Sequence, residues 1–202
     1  MTALTSSPAS TPSSASTAMH AASRPARVLA ALFLLLAAVA VFLVQDPFVA
    51  AEANLAADIA RVGVSGQAAS LGPVVWVGIG TPAVMAMRIT SLCSTVVLVT
   101  PVLLLGAALM YGLRRAHLHR ILAGVVVGLA IVVAANQARY LLLAWLGTSF
   151  GHDAFLLGHH WIGAIGVLAL FALALFLTVR IAIGGITRPS ARFTPATTDD
   201  RN

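Results

Sequence analysis

A chain of 202 residues with 59% hydrophobic and 9% charged side chains carries far more apolar surface than a soluble core of that size needs, so the bilayer is its expected solvent. The net charge of +6 rests on arginine alone, and most of the arginines sit in short gaps between apolar runs, which speaks against a nucleic-acid binder. The single cysteine, Cys93, excludes an intrachain disulfide and any multi-cysteine metal site.

Residues 1–23 are rich in Ser, Thr, Ala and Pro and read as a disordered tail. Arg24 and Arg27 then flank a first apolar run over 28–44. It reads as an uncleaved anchor, because it is long for a signal-peptide core and Asp46-Pro47 makes a poor approach to the small residues Ala50 and Ala51.

The stretch 45–92 is mixed, with Asp46, Glu52, Asp58, Arg61 and Arg88 and an amphipathic portion over 48–62, and reads as extramembrane. Within it, 73–79 and 83–90 are β-prone runs around the turn-forming Gly80-Thr81-Pro82, which predicts a hairpin leading into Cys93. The competing reading is a short spanning helix over 71–87. Gly78, Gly80 and Pro82 oppose it, and it would reverse the topology downstream.

A second span covers 94–113 and ends in a basic loop containing Arg114, Arg115, His117, His119 and Arg120. The third covers 121–146 and is interrupted by Asn136 and Arg139; the fourth covers 161–183 and is followed by a polar tail over 187–202 with Arg188 and Arg192. The expected fold is an all-α integral membrane protein with about four transmembrane helices, a short β-hairpin before the second, and a membrane domain over 24–186. Basic flanks are retained on the cytoplasmic side. That rule puts both termini in the cytoplasm of a multi-pass plasma-membrane protein and sends 45–92 and 147–160 outward.

This topology brings three chemically capable side chains to one membrane face. Cys93 opens the second helix, Arg139 lies roughly 27 Å along the third, and His159 and His160 immediately precede the fourth. An arginine inside an apolar run costs at least about 2.5 kcal/mol at mid-bilayer on insertion scales, so it usually faces a bundle interior. Asn136, three positions earlier on the same helical face, is expected to position a substrate carbonyl or hold the guanidinium. A thiol attacks as its thiolate; an imidazole can take its proton, and a guanidinium can favour the thiolate or stabilise a developing oxyanion, two roles the residues alone leave open. Arg88 is a second cation near Cys93 or a solvated hairpin charge.

Each residue also has a plain reading. Cys93 can be apolar filler, Arg139 a snorkeling side chain, and the paired histidines interface anchors. With His152 they would approach a metal set, but no second group of ligands is evident, and neither metal nor cofactor is expected. On the plain readings the chain is a non-catalytic multi-pass assembly factor or transporter-like subunit.

The order of the residues carries a resemblance. A cysteine, an Asn136-Gln-Ala-Arg139 and a His159-His-Trp-Ile-Gly163 resemble the pattern of the exosortase/archaeosortase family, integral membrane cysteine transpeptidase-like sorting enzymes, over about residues 75–175. Thr95 stands where the family usually has a glycine two positions after the cysteine. The resemblance implies Cys93 as nucleophile, His159 as proton-transfer partner and Arg139 as electrostatic stabiliser, with Asn136, His160 and Arg88 supporting. It also implies a membrane-anchored protein substrate with a C-terminal sorting signal, cleaved on the outer face.

Overall fold

The computed structural model describes residues 15–113 and 116–184; Arg114, Arg115 and the tails at 1–14 and 185–202 lie outside the described residues. Four segments are long and apolar enough to cross a membrane: Arg24–Leu43, Thr95–Gly112, Leu118–Phe150 and His152–Ile183. The chain is an all-α membrane protein with a small antiparallel sheet ahead of its second span.

Helix α1 (Ala15–Leu43) begins inside the segment that composition assigns to a disordered tail. Its first turns hold Ala15, Ala18, Ala21 and Ala22, and extending an existing apolar helix through alanine is far cheaper than nucleating a new one. Helix α2 (Gln45–Ala60) follows after a single residue and is the amphipathic portion expected there. It ends in a π-helical turn over Arg61–Ser65.

Three strands then form a sheet in the order β1-β2-β3: β1 (Ala68–Leu71), β2 (Val74–Val77) and β3 (Met85–Arg88), with neighbours antiparallel. The expected hairpin is β2–β3, and no helix spans 71–87. Its loop is fixed by Thr81, whose N–H and hydroxyl both donate to the Gly78 carbonyl at 3.0 and 2.7 Å. Gly78 has φ 73°, and a Cβ there would lie 3.0 Å from the Ala83 carbonyl oxygen, so the loop closes only on glycine. The strand β1 was not foreseen. Its four residues carry only Ala, Ser and Leu, and a two-residue Gly72-Pro73 turn, with Gly72 at φ 56°, folds it onto β2.

After a 3₁₀ turn over Ser91–Cys93 come α3 (Thr95–Gly112), α4 (Leu118–Phe150), α5 (His152–Leu157) and α6 (Gly163–Ile183). A π-helical turn over Gly158–Ile162 joins α5 to α6 without a break. The expected outward loop at 147–160 is therefore mostly helix, with Gly151 (φ 86°) as its one sharp corner.

Helices α4 and α6 pack most closely, through small residues. The Thr178 hydroxyl donates to the Gly124 carbonyl at 3.1 Å, and a Cβ on Gly128 would sit 2.4 Å from that hydroxyl oxygen. Backbones that approach this far are a common solution where lipid supplies no hydrophobic drive between helices. At the arginine-rich end of the bundle, Arg27 Nη1 donates to the Leu113 carbonyl at 3.0 Å, a cation on the C-terminus of α3.

Two separate apolar cores result. One lies among the spans and includes Leu34, Val102, Ile121, Val132 and Ala174. The other lies under the sheet and α2 and includes Val49, Ala53, Val75, Val77, Tyr140 and Leu143. Helix α4 contributes to both, and the changeover falls between Val132 and Tyr140.

Candidate active site

The changeover is also where the chemically capable residues meet. Cys93 lies one position before Ser94, the N-cap of α3, whose hydroxyl accepts from Val96 N at 3.3 Å. The thiol thus sits at a helix N-terminus, a setting that favours negative charge. Arg139 reaches it from α4, with Nη2 3.8 Å from Cys93 Sγ. Among the described residues no carboxylate lies within ion-pair distance of Arg139; the pair formed is Arg61–Asp58, on the surface at 3.1 Å.

Cys93, Arg139, His159, His160 and Arg88 all line one cavity of about 380 Å³, together with residues of β3 and α5. The order in which the sequence delivers these residues therefore becomes a spatial cluster. His159 is half-buried and stacked on Phe155, with ring centroids 5.9 Å apart and planes at 15°, while His160 stands edge-on to it and is exposed. His159 Nδ1 and Arg139 Nε are buried without a hydrogen-bond partner.

Both histidines lie in the π turn that immediately precedes α6, within helical backbone that runs on from α5. Such single wide turns insert a residue into a helix and re-aim its side chains, and they are frequent at functional sites. Gly163, four residues after His159, has a local reason to be glycine. A Cβ there would meet the Gly158 carbonyl oxygen at 2.9 Å and Arg139 Nε and Cγ at 3.1 and 3.3 Å, so the bare backbone makes room for the arginine.

Asn136 departs from expectation. It is fully buried and does not line the cavity, so it neither faces a substrate carbonyl there nor bonds the guanidinium. Its Nδ2 lies 3.1 Å from the Cys93 carbonyl oxygen and 2.7 Å from Glu52 Oε1. The Tyr140 hydroxyl donates to the same Cys93 carbonyl at 2.6 Å. Two adjacent turns of α4 therefore hold the backbone of the thiol-bearing residue while Arg139 addresses its sulfur.

Glu52 is the residue that sequence reasoning left among the outward-facing charges. It is 5% exposed, and its carboxylate accepts from Ser94 Oγ at 2.6 Å, from Thr95 N at 3.0 Å, from the Thr95 hydroxyl and from Asn136. A carboxylate from α2 thereby caps the N-terminus of α3, where backbone donors would otherwise be orphaned. It also gives the Thr95 hydroxyl a partner of its own. A signal for Glu52 existed: the buried positions of α2 are 49, 52, 53, 56, 57 and 60, a helical stripe in which every other member is Val or Ala.

Helix lengths give the level of the site within the bundle. Helix α3 has 18 residues, or about 27 Å, close to the roughly 30 Å hydrocarbon thickness. Asn136 meets the first residue of α3, with Nδ2 3.1 Å from Thr95 Oγ1. It lies about 27 Å along α4 from Leu118 at 1.5 Å per residue. By these lengths Asn136 lies level with the first residue of α3, and the last turns of α4, the sheet and α5 lie beyond that level. Comparison with protein-family models, curated proteins and solved structures finds no match for this chain.

Proposed function

We propose that this chain is an exosortase-like membrane cysteine endopeptidase or transpeptidase that cleaves the C-terminal sorting signal of membrane-anchored exported proteins. The observation that carries the reading is the 3.8 Å approach of Arg139 Nη2 to Cys93 Sγ inside a cavity that His159 also lines. An arginine with no carboxylate partner among the described residues, held beside the chain's only cysteine at a helix N-terminus, is costly to keep there, and such residues usually mark a functional site.

In this mechanism the Cys93 thiolate attacks the scissile carbonyl carbon, and His159 takes the thiol proton. Arg139 stabilises the oxyanion as the carbon becomes tetrahedral. Collapse breaks the C–N bond, His159 protonates the departing amine, and the acyl group remains on sulfur as a thioester. Water or an acceptor amine then releases it, returning the thiol. The stacking on Phe155 and the half-buried setting favour His159 over the exposed His160 as the base.

The cavity lies at the end of the bundle opposite Arg27, Arg120 and Arg180. With basic flanks held in the cytoplasm, this end faces outward at the plasma membrane and both termini face inward. A substrate anchored by its own C-terminal helix presents the residues preceding that helix at the same depth.

The test is co-expression with a membrane protein ending in an apolar helix and a basic terminus, followed by gel mobility of that protein. A shortened product that is absent with Cys93→Ala is the expected result. Normal processing by Cys93→Ala refutes the reading and leaves the chain as a non-catalytic assembly factor or transporter-like subunit.

A further inference from the structure

The peptidase reading does not say how the scissile segment is held. We infer that it is held by strand addition: an extended stretch of substrate main chain pairs with the free edge of β3 and thereby lies across Cys93. The inference rests on the peptidase reading for the identity of the occupant and on sheet geometry for its mode of binding.

The sheet order β1-β2-β3 leaves two edges. That of β1 is covered, because Arg61 Nε and Nη2 both donate to the Ala68 carbonyl at 3.2 and 3.0 Å and α2 packs against the strand. On the edge of β3 no such hydrogen bond is made among the described residues, although α4 touches the strand where Gly147 meets Met85. An unpaired row of N–H and C=O groups is a template for another extended chain.

The register says which groups are free. Ile89 N donates to the Pro73 carbonyl at 2.8 Å, so the hydrogen-bonded pairs of the β2–β3 ladder continue at Val75↔Met87 and Val77↔Met85. The intervening pairs, Val74↔Arg88 and Trp76↔Ala86, are the non-bonded ones. Ala86 and Arg88 therefore direct their N–H and C=O away from β2, at the two-residue spacing an added strand requires. Both are exposed, and both line the cavity that contains Cys93, Arg139 and His159. The free edge and the nucleophile thus open onto one space, and an extended peptide is the occupant that satisfies both.

Main-chain pairing tolerates many sequences, so generic probes suffice. The rate at which Cys93 of the full-length protein in detergent is alkylated would be compared for a chloroacetamide on a β-branched tetrapeptide and for untethered chloroacetamide; in each case the thiolate displaces chloride. Docking raises the effective concentration of the tethered group, and a rate ratio of about tenfold or more is expected. Methylating alternate backbone nitrogens of the peptide should return the ratio to near unity. Ala86→Pro should do the same, since it deletes an outward N–H and no ladder bond. A ratio near unity for the unmodified peptide, or one insensitive to both N-methylation and Ala86→Pro, overturns strand addition. A protein that shows the peptide preference yet processes no tailed substrate keeps the docking edge and loses the peptidase reading.

Discussion

Replacing Glu52 with alanine tests whether the buried carboxylate organises the site. Four donors converge on it: the hydroxyls of Ser94 and Thr95, the Thr95 N–H and the Asn136 amide. Each buried donor left unpaired costs about 1–3 kcal/mol. Asn136 retains the Cys93 carbonyl as an acceptor, and water entering the vacated space serves part of the remainder. The net loss is then about 3 kcal/mol, at the low end of the range for removing one member of a buried charged cluster. For a chain of this size that lowers Tm by about 6–12 °C. Glu52→Gln keeps the shape and one acceptor oxygen but turns an NH₂ group toward donors, so its loss falls between those of the parent and the alanine variant. Thermal unfolding of the full chain in detergent micelles measures both. Asp58→Ala is the comparison, because Asp58 pairs with Arg61 on the surface and such a pair contributes about 0–1 kcal/mol. If Glu52→Ala melts within about 2 °C of the parent, the carboxylate is not the anchor described above.

Arg139→Lys keeps the charge but loses the planar fork, and is expected to lower substrate processing at least about tenfold with little change in Tm. Parental processing by this variant would show that charge alone suffices. Gly163→Ala gains about 1 kcal/mol of helix propensity and loses a similar amount or more to overlap with Arg139 and the Gly158 carbonyl. Its Tm should stay near the parent while Cys93 alkylation slows several-fold, and an unchanged alkylation rate would mean that the arginine has room to spare. Gly128→Val drives its side chain into Thr178 and should destabilise the α4–α6 contact by about 1–3 kcal/mol, read as a lower Tm. Labelling of intact cells with a membrane-impermeant maleimide is expected to modify Cys93, and labelling only after permeabilisation would invert the proposed orientation.

The spans were legible because bilayer physics writes long apolar runs into a sequence, and the β2–β3 hairpin because turn residues separate two β-prone runs. The meeting of Cys93, Arg139 and His159 followed from topology alone, since alternating spans return the chain to the same end of the bundle. What escaped was local geometry set by tertiary contact. Nothing in the Gly158–Ile162 segment announces a π turn, and α1 runs into alanine-rich sequence only because an apolar helix is there to extend. Asn136 lies only three positions from Arg139, yet that much of helix is enough to separate the Glu52 cluster from the cavity. Glu52 itself was read by its charge, although its position in the buried stripe of α2 pointed inward.

The shortness of α3 has a consequence for the lipid. In the proposed orientation its 18 residues would set Cys93 flush with a hydrocarbon layer of about 27 Å, while α4 and the α5–α6 rod overshoot that thickness and cannot report it. In a bilayer a few ångströms thicker, acyl chains would rise past the sulfur and dry the cavity mouth. In a thinner one, headgroups and water would reach below it. On the proposed peptidase reading, acyl-chain length thus becomes a control on the chemistry, and the membrane that suits the protein is the one whose thickness leaves its thiol at the waterline.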